Sequence, residues 1–179
     1  MAAVAGTNVP LSGWMAPPTL RLAMLPARLI EFIDTYADTL TRHAVRDLST
    51  SWRTRSFDLV PASELEARVF ATYCRVASWI AEPSDDTVRE DYERWGAARF
   101  RQGIPLSEIV YALFLLKHNL RRSLRDHEVL AAADDRASAQ ELDYVVDEFF
   151  DRAMYHLARG YEREARTLER RELTACPSR

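Results

Sequence analysis

Along most of the chain, apolar residues recur at three- and four-residue steps, the spacing that puts them on one face of an α-helix. From about Ala27 to Leu48 the step is held by Leu29, Ile33, Tyr36, Leu40 and Ala44. Residues 1–25 carry Pro10, Pro17 and Pro18, with Pro26 just beyond, and read as a flexible N-terminal arm. Ser49 to Pro61 reads as a linker with Trp52 and Phe57 as anchors. Leu65, Val69, Tyr73, Val76 and Ile80 then mark a second helix, opened by a capping box of Ser63 and Glu66 and ended near Pro83. Ser84 is the N-cap of a third helix, whose dipole Asp85 and Asp86 complement; it carries Val88, Tyr92, Trp95 and Phe100 and stops near Gly103.

A fourth helix opens at Pro105 and runs from Leu106 to about Val129. Leu106, Ile109, Leu113, Leu116, Leu120 and Leu124 form one stripe, and Tyr111, Phe114, Leu115 and His118 form a second apolar patch on the other side. A helix apolar on two sides is expected to be sandwiched in the core or to serve an interface between copies. Asp134 and Asp135 mark a turn, and Ser138 with Glu141 reads as a second capping box. The last helix carries Leu142, Val146, Phe149, Ala153 and Leu157, with Tyr161, Glu164 and Leu168 continuing the step. Beyond Gly160 it is mostly Arg and Glu, with Glu162 and Arg166 four apart, so it is expected to project beyond the body.

The elements sum to an all-α fold: a single-domain helical bundle of about five helices over residues 26–173, with a long C-terminal helix and a tail at 174–179. Several bundle topologies accept this pattern, a globin-like one without haem among them. The 179 residues are 47% hydrophobic, enough for one domain with a real core, and only 5 are glycine, which argues against an all-β chain. A net charge of −3 supplies no basic footprint, and the N-terminal region shows no helix-turn-helix with a basic recognition helix, so no nucleic-acid partner is expected. No window approaches the ~18 apolar residues of a membrane span. Met1 to Pro18 lacks Lys and Arg and is broken by Asn8, Pro10 and Gly13, unlike a secretory signal. Cys74 and Cys176 read as free thiols in a reducing cytoplasm, and no Cys-x-x-Cys motif is present.

For chemistry the pattern offers little. His43, His118, His127 and His156 lack the helical spacings that build metal sites. There is no Gly-x-Ser-x-Gly elbow and no Gly-rich phosphate loop. No enzyme activity, metal or cofactor is therefore expected. Arg121, Arg122 and Arg125 are followed at once by Asp126 and Glu128 and read as a solvated helix face, and His127 between those acids reads as part of a helix-end charge cluster. Two readings follow. One is a regulatory domain that forms a homodimer and acts on a protein partner. The other is a small-molecule or haem sensor whose pocket is lined by Trp95, Arg99, Tyr111, Phe114 and His118.

The stretch from Trp95 to Ile109 is the most informative. Gly96 permits close approach of a neighbouring helix, Gly103 suits a left-handed helix end, Pro105 restarts the chain as helix, and Glu108 falls in the first turn. Arg99 and Glu108 are expected to pair across this corner. The stretch resembles the N-terminal domain of the RsbT co-antagonist (RsbRD) family of bacterial stress regulators. That family's Gly-x-x-Arg-x-x-x-Gly-x-Pro-Leu-x-Glu pattern falls on Gly96, Arg99, Gly103, Pro105, Leu106 and Glu108. The helical layout fits over about residues 28–172. The resemblance implies a cytoplasmic, all-helical sensory or regulatory module of stress or two-component-type signalling, of the kind found ahead of STAS domains, histidine kinases and helix-turn-helix regulators. In such modules the last helix leads into the output. The resemblance carries over no catalytic residue, and it implies that the chain is either a stand-alone input domain or a piece of a longer protein.

Overall fold

The computed structural model describes residues 18–127 and 136–175, with side chains over 27–127 and 140–172. Among these residues the fold is helical throughout, without a strand. The elements are α1 (Pro18–Thr50), a 3-10 helix (Trp52–Leu59), α2 (Ala62–Ala81), α3 (Asp85–Arg101), α4 (Leu106–Asp126) and α5 (Arg136–Ala175). The predicted stripes are the core. Leu29, Ile33, Leu40 and Ala44 of α1 and all five stripe residues of α2 are buried. So are Val88, Tyr92 and Trp95 of α3, and Leu142, Val146, Phe149, Ala153 and Leu157 of α5. Burying these faces against one another is the main stabilising term for helices that would be marginal alone.

Two helix pairs make the most extensive contacts, α3 with α5 and α1 with α2, and α4 lies against α1, α5 and the 3-10 helix. The α3–α5 pair is close because two glycines meet backbone at its crossing. A Cβ on Gly96 would lie 2.1 Å from the Leu157 carbonyl oxygen, and one on Gly160 would lie 2.1 Å from that of Glu93. Gly96 thus does what its position suggested.

Several boundaries differ from the expected ones. α1 begins at Pro18, so the last residues of the expected arm, and Pro26, are helical; residues 1–17 lie outside the described residues. α2 begins ahead of the Ser63–Glu66 box, with Pro61 in the cap position and its carbonyl accepting from the Leu65 N–H at 3.0 Å. Proline fixes its own φ and has no N–H to satisfy, so the helix propagates up to it and leaves Ser63 inside the first turn. Likewise α5 is helical from Arg136, so Ser138 lies within the helix and not ahead of it; its side chain lies outside the described residues. Ser84 does cap α3, accepting from the Thr87 N–H. In the linker Phe57 is buried, as an anchor should be, but Trp52 is 69% exposed. α4 ends at Asp126 with His127 as its C-cap, short of the expected Val129. The expected turn at Asp134 and Asp135 and Cys176 lie outside the described residues; Cys74 is a free thiol.

Candidate functional site

The α3–α4 corner is built by local rules. Gly103 has φ 73°, a left-handed conformation that costs glycine nothing. The Gly103 N–H donates to Phe100 O at 2.9 Å and the Ile104 N–H to Arg99 O at 3.1 Å, which satisfies the last carbonyls of α3. Ile104 is fully buried beneath the turn. Glu108 sits in the first turn of α4, where the helix dipole favours a carboxylate.

Arg99 and Glu108 do not pair. Glu108 accepts from the Ser56 backbone N–H at 2.8 Å and from its hydroxyl at 2.9 Å, which ties the 3-10 helix to the start of α4. Arg99 turns inward instead, with 1% of its side chain exposed. There its guanidinium meets Glu64 of α2 at 3.0 Å and hydrogen-bonds the Gln102 side chain, while its Nε has no partner. Burial pushes the Arg99 pKa down and Glu64 opposes that shift. The corner is short in sequence, but its charged tips are claimed by elements folded onto it from 35 and 52 residues upstream (99 − 64 and 108 − 56).

Above Arg99, a cavity of about 210 Å³ opens between α2 and α3. It is lined by Arg68, Ala71, Thr72 and Arg75 from α2 and by Asp91, Tyr92 and Trp95 from α3. Trp95 is 5% exposed and its indole N–H has no partner. The guanidinium of Arg68 lies 5.5 Å from the Trp95 ring centroid and that of Arg99 lies 6.0 Å from it, cation–π distances. Arg75 pairs with Asp91, which also pairs with Arg94. Burial pushes the Tyr92 phenol up, so it stays neutral.

The five expected pocket residues are not brought together. Trp95 lines this cavity and Arg99 lies beneath its ring, whereas Tyr111, Phe114 and His118 are on the far side of α4 and do not line it. Phe114 is 52% exposed and stacks on Tyr111 at 6.2 Å, and the Arg53 guanidinium sits over both Tyr111 and the exposed Trp52 ring, at 5.2 and 4.7 Å. His118 is exposed, so the haem reading finds no buried axial ligand at that position. The two-sided helix is therefore not sandwiched: one stripe is core and the aromatic patch faces out. Of the basic cluster, Arg121 is held by Asp143 and Asp147 of α5 and Arg122 lies near Asp47. His127 caps α4 and packs against Tyr36 and Phe32 rather than joining a charge cluster.

One histidine has a charged partner that spacing could not reveal. His156 of α5 is buried, with Nε2 3.5 Å from Asp85 at the start of α3 and Nδ1 unpartnered. Asp85 also accepts from Arg152 at 2.8 Å, and that contact leads in holding its carboxyl below the usual range. Partners 67 and 71 residues apart leave no sequence signal. Gly160 did leave one, since a glycine inside a periodic helix marks a close backbone approach. No cluster of three or more possible metal ligands occurs among the described residues.

Compared with known proteins, the chain matches the family model described as the RsbT co-antagonist protein rsbRD N-terminal domain, over residues 26–175. No curated protein and no solved structure matches it. The match spans most of the chain and takes in the whole Gly96–Glu108 corner, so the chain belongs to the RsbRD N-terminal domain family, a family of signalling regulators.

Proposed function

We propose that this RsbRD-type domain is a non-enzymatic input module, acting in the bacterial cytoplasm through contact with a protein partner and through homodimerisation. The observation that carries the reading is the aromatic face on the outside of α4. Phe114, Tyr111, Arg53 and Trp52 are arranged ring on ring and ring on guanidinium, yet Phe114 and Trp52 remain 52% and 69% exposed. Aromatic and arginine side chains are the groups that dominate protein interfaces. A second support is α5, which continues through largely exposed residues past Tyr161 and so has length available beyond the body.

The test is the mass of the purified protein by light scattering or native mass spectrometry, with two substitutions on α4. The wild type is expected to be a dimer. Phe114→Asp should give a monomer with unchanged helical circular dichroism, because the new charge is solvated. Leu116→Asp should instead unfold the chain, because Leu116 is 2% exposed and a buried unpaired charge is costly. A wild-type monomer at micromolar concentration would refute the dimer.

A further inference from the structure

We infer that the notch between α2 and α3 is a binding site for a small organic phosphate monoester, its dianionic head held between the Arg68 and Arg75 guanidinia. Three observations carry this. The first is the face that α2 presents. Arg68 and Arg75 both line the cavity and stand seven residues apart on one side of the helix, two turns or about 10 Å along its axis. Between them lie only Ala71 and Thr72, short side chains that leave a gap, open to solvent at Ala71. Forked donors on either side of a gap suit an acceptor with several oxygens, and a guanidinium meets a phosphate with two parallel hydrogen bonds.

The second observation is charge. The charged groups that line the cavity, or form an ion pair with one that does, are Arg68, Arg75, Arg94 and Asp91, a formal +2 (three guanidinia minus one carboxylate). Arg99, beneath the Trp95 ring, is balanced by Glu64. Among the described residues Arg68 has no carboxylate within ion-pair distance, and Asp91 is shared by Arg75 and Arg94. Arg75 can therefore turn to a ligand while Asp91 keeps Arg94 as its counterion. A local surplus of two, on a chain whose net charge is −3, matches a dianion. A phosphate monoester carries about −1.5 to −2 at pH 7. The third observation is shape. The rim, at Arg68 and Ala71, is exposed, and the back is formed by the buried rings of Tyr92 and Trp95, edge to face at 5.7 Å. The head thus stays at the rim and an apolar body meets the rings. The volume of 210 Å³ is below the ~300 Å³ at which sites for drug-sized ligands begin, so that body is small. A role for the ligand as the input signal rests on the regulatory function proposed above. Drawing Arg75 from Asp91 opens an ion pair that joins α2 to α3, and α3 crosses α5 at Gly96 and Gly160.

The experiment is isothermal titration calorimetry of the full chain with phenyl phosphate, with benzoate and inorganic phosphate as comparisons. Phenyl phosphate should bind saturably at one site per chain. Benzoate keeps the ring but carries a single charge, and inorganic phosphate keeps the charge but lacks the ring, so each should bind more weakly. Arg68→Gln and Arg75→Gln should each weaken phenyl phosphate roughly tenfold, as loss of one charge-assisted hydrogen bond would. Arg125→Gln, at an exposed arginine of α4 outside the cavity, should leave binding unchanged. Lowering the pH below about 6, where the ester gains a proton, should weaken binding. Arg68 is exposed and Arg75 partly so, and both variants are expected to fold, with circular dichroism as the check. The inference is overturned if phenyl phosphate gives no saturable heat at millimolar concentration, if benzoate matches it, if Arg68→Gln or Arg75→Gln binds as well as the wild type, or if Arg125→Gln loses as much as they do. Equal binding of inorganic phosphate would show an adventitious ion only and would overturn it too. These outcomes are independent of whether the chain is a dimer, since Phe114 and Trp52 do not line the cavity.

Discussion

Replacing Gly160 by alanine sets two physical effects against each other, and the structure decides which wins. Alanine is the better helix former by about 1 kcal/mol, so an uncrowded site would be stabilised. At Gly160, however, the new methyl would sit 2.1 Å from the Glu93 carbonyl oxygen and 2.5 Å from the Glu93 Cα. An acceptable carbon–oxygen contact is about 3.3 Å, so α3 and α5 must part by roughly 1 Å. Both obstructing atoms are backbone, so no side chain can swing away. A gap of that size forfeits about a quarter to a half of each dispersion contact across the crossing. The Phe100–Tyr161 and Tyr92–Phe149 ring pairs and the Arg163–Glu93 ion pair all span it. Overpacking of this kind costs about 1–3 kcal/mol or more, and with two backbone clashes the upper end applies. After the propensity gain the net loss is about 2 kcal/mol, a fall in Tm of about 4–8 °C for a domain of this size. Thermal melts of Gly160→Ala, Gly96→Ala and the double variant check it. The double variant should lose less than the sum, because the first substitution has already opened the crossing that the second needs. A Tm for Gly160→Ala equal to or above that of the wild type would refute the reasoning.

Two further predictions concern charge. Glu64→Gln removes the carboxylate from the buried Arg99 guanidinium and leaves only the Gln102 side chain, so urea unfolding should show a loss of about 1–3 kcal/mol; an unchanged midpoint would mean that Arg99 is satisfied without Glu64. Asp85 has a folded-state pKa below its unfolded value of about 3.9, held down first by Arg152 and also by His156. Its contribution is therefore present above that pH and is lost as the pH falls through the folded value. Melting curves of wild type and Asp85→Asn should differ near neutrality and converge in acid, and a constant difference down to about pH 3 would contradict that linkage.

How far the sequence could be read depends on the range of the interaction concerned. Each core stripe from Leu29 to Leu157 was legible, because helical periodicity is a property of neighbours three and four residues apart. The Gly103 turn, the Ser84 cap and the first-turn position of Glu108 were legible for the same reason. The capping box at Ser63 was misread because a short polar motif competes with its flanks, and at α2 a proline upstream sets the start. The family pattern was legible as a string of residues, but what its two charged members do was not.

The sequence by itself determined that this chain is a helical bundle, where its apolar faces lie and which family it belongs to, since all three are written in local spacing and motif order. Tertiary structure alone decided that Arg99 pairs with Glu64 and Glu108 with Ser56, that the α4 aromatic patch faces outward, and that Arg68 and Trp95 share a cavity. A long side chain finds its partner by distance in space, and the choice among nearby carboxylates is made only when the helices that carry them dock.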